Sequence, residues 1–203
     1  MKYHPLILSV LLVLGGCATA PPPAVHDRLD AETGQTISVL PSPLELLTPP
    51  EHRGNRPAEF AYLAPFELDR MGARSLYLWI LVPDHLPASP PPLIRCDGSA
   101  VDLGAPKGDP GGIGLSDAPY APPYPWSRQW YFDLSDAALA CLGQAQVITL
   151  ETPPAAAQSP AAVQSPAAAQ SPAAAESTVF RVESRKGTTG FPALQGFMAY
   201  RGH

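Results

Sequence analysis

The sequence predicts a mainly β protein: an antiparallel, β-sandwich-like single domain with one short helix. Eight short runs rich in β-branched and aromatic residues follow one another along the chain, and turn-forming residues separate nearly all of them. Asp97-Gly98, the strongest hairpin signal in the chain, lies between two of these runs. The predicted strands are residues 36–40, 59–68, 74–82, 93–96, 99–103, 128–134, 146–151 and 178–183.

The first sixteen residues have the pattern of a secretory signal peptide. Lys2 gives a positive start, an apolar run follows from Pro5 to Leu14, and two glycines precede Cys17. Ten residues rise only about 15 Å as a helix, roughly half of what the core of a bilayer requires. We therefore predict that residues 1–16 are removed rather than retained as a transmembrane anchor.

Residues 14–17 resemble the lipobox of bacterial lipoproteins. The resemblance implies cleavage before Cys17, lipidation of its sulfur and acylation of the freed amine. Several acyl chains on one residue hold a protein firmly, at about 0.8 kcal/mol for each buried methylene. Ala18 stands where lipoproteins kept in the inner membrane carry Asp, so the resemblance implies the outer membrane. We predict the periplasmic side of that membrane, with the cell surface as the alternative. The alternative is an ordinary secreted protein in which Cys17 is incidental.

Residues 17–33 contain three consecutive prolines, Pro21 to Pro23, and little that could be buried. We predict that they form a stiff tether and that the domain covers residues 34–203. Within the domain, residues 69–73 are predicted to turn a hairpin. The strand 74–82 is apolar on nearly every residue, which predicts a central strand covered on both faces, whereas residues 178–183 alternate and predict a half-exposed strand.

The one predicted helix is the segment LSDAALACLG, residues 134–143. Ser135 can cap the free amides at its start, and Gly143 can adopt the left-handed conformation that ends a helix. This helix would carry Cys141 towards Cys96, at the end of the strand 93–96.

Residues 153–177 hold a six-residue repeat of Ala, Gln, Ser and Pro. Regularly spaced prolines interrupt helices and strands, and this composition buries too little apolar surface to order the chain. The 26 residues that follow are too few for a core of their own. We therefore predict a disordered loop inserted between two strands of one domain.

The net charge of the chain argues against nucleic acid as a partner. The chain has 13 Lys and Arg against 18 Asp and Glu, and it has no basic stripe, which argues against nucleic acid. Its nearest approach to a basic cluster is Arg53, Arg56, Arg70 and Arg74, which we interpret as a solvated rim, with an anion site as the alternative.

Cys96 and Cys141 remain once Cys17 is lipidated. An even pair in an exported domain usually closes, so we predict a disulfide that stabilises the fold by about 2 to 4 kcal/mol. Two buried free thiols are the alternative.

Motifs for catalysis or cofactor binding are missing from the sequence. The histidines are scattered without zinc-site spacing, and the glycine-rich segment 108–117 lacks a phosphate-loop ending and is predicted to be a mobile loop. Asp97, Asp102, Asp109 and Asp117 suggest calcium, but their spacing does not match a calcium loop, and turn chemistry explains them better. We predict no metal and no cofactor.

The best candidate binding surface lies in residues 118–132. Four prolines favour an extended chain from which aromatic side chains project, and Tyr and Trp are frequent where proteins or sugars dock. The candidate residues are Tyr120, Tyr124, Trp126 and Trp130. The alternative is a cover that protects a sheet edge from other chains.

Together these observations predict a lipid-anchored envelope protein that acts as a non-enzymatic binding or assembly component. Its expected partners are the membrane, through the N-terminal lipid, and envelope proteins or cell-wall glycans. The alternative is an envelope hydrolase whose site is assembled from residues distant in sequence. A catalyst should show a concave pocket with titratable groups, and a binding module a flat aromatic patch.

Overall fold

A computed structural model describes residues 25–86, 90–154, 177–183 and 190–201. Within them ten strands form one antiparallel sheet, which confirms the mainly β prediction. The strands are β1 (His26–Leu29), β2 (Thr36–Val39), β3 (Leu44–Leu47), β4 (Phe60–Arg70), β5 (Ala73–Pro83), β6 (Leu93–Cys96), β7 (Ser99–Ala100), β8 (Ser127–Asp133), β9 (Val147–Thr152) and β10 (Thr178–Glu183). The α-helices of the described residues are α1 (Pro50–Arg53), α2 (Asp136–Gln144) and α3 (Gly190–Arg201).

Strand β4 organises the sheet because three strands pair with it. β5 runs along one edge, while β3 pairs with the first half of the other edge and β2 with the second half. β8 extends the sheet beyond β5, and β1 extends it beyond β2. From β3 the sheet continues through a single residue pair, Leu47 with Arg181, into β10, β9, β6 and β7.

Two tight turns confirm the predicted hairpins. Met71 and Gly72 join β4 to β5 with φ of 54° and 89°, and Asp97 and Gly98 join β6 to β7 with φ of 49° and 85°. Positive φ at both central residues matches the right-handed twist of the flanking strands. The second hairpin is shorter than predicted, because β7 ends at Ala100 rather than at residue 103.

The core is one cluster around β5, which is buried from Leu78 to its end, as predicted for a central strand. Trp79 is fully buried, and its ring nitrogen donates a hydrogen bond of 2.8 Å to Gln129 Oε1 on β8. Phe66 stacks on Tyr77 and meets Tyr131 edge-on, so aromatic side chains fill the space between β4, β5 and β8.

Two strands were not predicted, and one of them corrects a domain boundary. β1 is exposed at all four residues, and β3 is a four-residue run between prolines, so neither shows a clear apolar pattern. β1 nevertheless pairs with β2 along its length, from His26 opposite Val39 to Leu29 opposite Thr36. Residues 26–29, which lie in the predicted tether, therefore belong to the folded sheet.

The predicted helix is α2, and one of its two end signals is correct. The Ser135 hydroxyl accepts a hydrogen bond of 3.1 Å from the amide of Ala138, as expected of an N-cap. Gly143 does not end the helix, which continues to Gln144. A β-carbon at Gly143 would lie 2.1 Å from Met198 Sδ, so the glycine is needed for close approach of α3.

Helix α3 corrects the prediction of a single short helix. Its sequence GFPALQGFMAYR includes two glycines and a proline, which are poor helix formers. Burial of Phe191, Leu194 and Phe197 compensates. At its end Arg201 donates to Glu67 Oε2 at 2.6 Å and forms an ion pair with Asp136 of α2, so the helix is fastened to both β4 and α2.

The glycine-rich segment 108–117 is fastened to the domain, contrary to the prediction of a mobile loop. It contains a 3₁₀ turn, Pro110–Ile113, whose Ile113 is buried. Asp30, itself buried, accepts hydrogen bonds from the amide and hydroxyl of Ser116 at 2.8 and 2.9 Å. These donors hold the pKa of Asp30 well below its usual range.

The repeat lies between two strands that pair directly. β9 and β10 are antiparallel neighbours, and Thr152 is opposite Thr178. Residues 155–176 lie outside the described part of the chain. Among the described residues, no helix combines the length and apolar character needed to span a bilayer.

Candidate functional site

The structure separates the four residues of the predicted aromatic surface: Tyr120 is buried, Tyr124 and Trp130 are half-buried, and Trp126 is exposed. Tyr120 is buried, with its ring centroid 5.1 Å from that of Trp79. Its hydroxyl donates to the Pro65 carbonyl and accepts from the Leu40 amide, each at 2.9 Å. Burial raises the pKa of Tyr120 above its usual value. Tyr120 is therefore not part of a binding surface, because a ligand could reach it only by unpacking the core.

Tyr124 and Trp126 remain as candidates. Their rings stack with centroids 5.7 Å apart, and Tyr62 lies against Tyr124 at 6.3 Å. The Tyr124 hydroxyl donates to the Phe60 carbonyl at 2.8 Å, and partial burial raises the pKa of Tyr124 to about 12. Trp126 is 62% exposed. We call Tyr62, Tyr124 and Trp126 the aromatic stack.

Trp130 is half-buried on β8 and does not belong to this stack. Its ring nitrogen is buried without a hydrogen-bond partner in the described part of the chain. Among the described strands β8 pairs with β5 alone, so Trp130 lies on an edge strand of the sheet.

Cys96 and Cys141 are neighbours, as the predicted geometry of α2 required, but both are free thiols in the structure. Cys96 is buried at the end of β6, and Cys141 is partly exposed on α2. Burial raises the pKa of the Cys96 thiol, and a hydrogen bond with Cys141 raises it further. The disulfide remains a prediction for an oxidising compartment. Cys17 lies outside the described residues.

A concave site lies where β3 and β5 end and β4 and β10 begin. It is an open cavity of about 590 Å³, which we call the basic pocket. Three separate segments of the chain supply its wall: the connection from β3 to β4, the end of β5 and the start of β10. The polar and charged side chains that line it include Thr48, His52, Arg53, Arg56, Glu59 and His85.

Backbone and ion-pair contacts fix the wall of the basic pocket. Thr48 is buried, and its amide donates to the Glu59 carbonyl at 3.0 Å, which closes the connection between β3 and β4. Glu51 on α1 pairs with Arg181 of β10 at 2.8 Å. This ion pair connects α1 to β10.

In the described part of the chain, the carboxylate of the basic pocket has a side-chain partner, and the two arginines have no carboxylate partner. His85 Nε2 lies 3.3 Å from Glu59 Oε1. Neither the Arg53 nor the Arg56 guanidinium has a carboxylate partner among the described residues. Two permanent cations therefore face the cavity, and the one lining carboxylate is engaged by a histidine.

The sequence contained part of this site. Arg53 and Arg56 belong to the arginine cluster for which an anion site was the alternative, and they line the basic pocket. Arg70 and Arg74 lie at the far end of the β4–β5 hairpin, where Arg74 approaches Glu67 and Asp69 at 3.7 and 3.6 Å. The role of His85 was missed, because only the fold brings it to Glu59.

Three of the four aspartates considered for calcium accept hydrogen bonds from backbone amides. Asp97 accepts from the amides of Gln146 and Val147, Asp102 from Gly104, and Asp109 from Gly112. The described residues contain no cluster of three His, Cys, Asp or Glu side chains that could hold a metal ion.

The chain was compared with protein-family models, curated proteins and solved structures, and none of them matches it.

Proposed function

We propose that the protein is a lipid-anchored component of the bacterial cell envelope that binds a ligand or partner without transforming it. The anchor is Cys17, on the resemblance of residues 14–17 to a lipobox. Val25, which packs against the core, lies eight residues along the chain from Cys17. Eight extended residues span at most about 29 Å. The domain is therefore held close to the membrane, which we take to be the periplasmic face of the outer membrane.

The observation that carries the binding role is the basic pocket. Its volume of about 590 Å³ is that of a small-molecule site. Arg53 and Arg56 enter it without a carboxylate partner in the described chain, so they are available to a ligand. The aromatic stack lies at the same end of the sheet, because the Asp84 amide, next to His85, donates to the Trp126 carbonyl.

Metabolic labelling with a clickable fatty acid tests the anchor. We expect the parent protein to incorporate the label and Cys17→Ala to lose it. Cys141→Ala is the matched control, since it also removes one thiol but keeps the acceptor. Equal labelling of Cys17→Ala and the parent would show that Cys17 is not lipidated.

Site-specific photocrosslinking in intact cells tests the binding role. A photoreactive residue at Trp126 should give a discrete crosslinked product, because Trp126 is exposed beside the basic pocket. The same residue at Met71 is the control, since Met71 is fully exposed at the far end of the β4–β5 hairpin. The binding role is wrong if position 126 gives no product, or if both positions give the same one.

A second function, envelope hydrolase, is favoured by the Glu59–His85 pair inside a cavity. A carboxylate that orients a histidine is a common part of a general base. The test is release of soluble fragments from purified cell wall. Release by the parent and not by His85→Ala would favour the hydrolase over the binding role.

A further inference from the structure

The basic pocket has a charge opposite to that of the chain. Acidic residues outnumber Lys and Arg by 18 to 13 overall, yet the cavity is lined by two arginines against one carboxylate. That carboxylate, Glu59, faces His85. A concave surface with excess positive charge concentrates the field and attracts anions.

The two arginines lie at the end of the short helix α1 and just after it, and Arg53 is the more buried of the two. Arg53 is half-buried at the end of α1, whose first turn is fixed by Pro49 and Pro50. The nearest acidic residue on this helix is Glu51, and it is engaged by Arg181. Glu51 therefore does not neutralise its neighbour. The planar fork of a guanidinium matches the oxygens of a carboxylate or a phosphate.

We propose that the basic pocket binds a small ligand through an oxyanion, a carboxylate or phosphate held by Arg53 and Arg56. The cavity is larger than a bare oxyanion needs, so the anionic group is carried on a larger body. Ser177 and Thr178, which carry hydroxyl groups, line the same cavity and favour a polar, sugar-like body. This inference rests on the binding role proposed above and names its ligand class.

Calorimetric titration of the full-length protein in detergent tests the proposal. N-acetylmuramic acid is the carboxylate probe and glucose 6-phosphate the phosphate probe. N-acetylglucosamine and glucose are their neutral counterparts. We expect at least one acidic probe to bind, its neutral counterpart to bind at least tenfold more weakly, and added salt to weaken the interaction. The two acidic arms distinguish a carboxylated sugar from a sugar phosphate.

Arginine variants connect the binding to the site. The double variant Arg53→Gln, Arg56→Gln should bind the acidic probe at least tenfold more weakly than the parent does. Arg70→Gln removes the same charge from the far end of β4 and should leave binding unchanged. Circular dichroism checks that each variant is folded, and the single Arg56→Gln, at an exposed position, replaces the double variant if that one unfolds.

Three results would overturn the oxyanion site: no binding of either acid, equal binding of the neutral sugars, or unchanged binding by the folded arginine variant. These failures are distinct from failure of the binding role. A specific crosslink from position 126 without acid binding would refute the ligand class alone, whereas loss of that crosslink would refute the broader role.

Discussion

At the scale of single residues, buried polar side chains connect segments that are far apart in sequence. The Tyr120 hydroxyl joins the Leu40 amide to the Pro65 carbonyl, and Asp30 holds Ser116. Glu67 is only 2% exposed and meets Arg201 from the last helix. Each of these groups would be costly to bury alone, so each one specifies a unique arrangement of its neighbours.

Replacing Tyr120 with Phe tests the first of these connections. The ring would remain packed, but a buried amide and a buried carbonyl would both lose their partner. We expect the free energy of unfolding to fall by about 2 to 3 kcal/mol in urea denaturation. Tyr124→Phe, which removes one partly exposed hydrogen bond, should cost less than about 1 kcal/mol. Equal effects of the two variants would contradict the assignment of Tyr120 to the core.

Asp30 makes stability depend on pH. Its pKa in the folded protein lies below the ordinary value of 3.8, so folding favours the ionised form. The stabilisation is present above about pH 4 and is lost as the pH falls below this value. We expect Asp30→Asn to lower the melting temperature at pH 7 and to differ progressively less from the parent below pH 3.8. A constant difference across this range would contradict the role of the charge.

At the scale of elements, the sequence was informative wherever local pattern and burial agree. β5 and β6 were predicted because their apolar runs are long or bounded by clear turns, and the N-cap Ser135 located α2. β1 and α3 were missed because tertiary contacts stabilise them: β1 is exposed and depends on pairing with β2, and α3 contains poor helix formers and depends on its buried face.

The contact of α2 with α3 predicts that the effect of Gly143→Ala on stability depends on the side chain at position 198. Alanine is favoured over glycine within a helix by about 1 kcal/mol. At Gly143, however, the new methyl group would displace Met198, and overpacking costs about 1 to 3 kcal/mol. We expect Gly143→Ala to leave stability unchanged or lower in the parent and to raise it in a Met198→Ala background. Thermal denaturation of all four proteins measures this, and the same sign in both backgrounds would contradict the close approach.

At the scale of the whole molecule, the candidate site could be predicted only in part. Arg53 and Arg56 were visible as a short basic cluster, but the basic pocket also needs His85 and Thr178. Those residues reach it through the pairing of β5 with β4 and of β10 with β3, and no local pattern encodes these pairings. The aromatic segment was recognised by composition, yet only the fold decides that Tyr120 is buried and Trp126 exposed.

The position of the repeat predicts how the whole domain responds to its removal. Thr152 and Thr178 are direct partners across β9 and β10, so the 25 residues between them start and finish at the same end of the sheet. Deleting residues 155–175 leaves four residues, enough for a hairpin loop. A shorter loop costs less entropy to close, by about 1.6 kcal/mol here. We expect calorimetry to show one transition with a melting temperature unchanged or raised by a few degrees. As a control, replacing the same residues with a Gly-Ser chain of equal length should leave the melting temperature unchanged. Loss of folding in the deletion variant would mean that the repeat is part of the folded core.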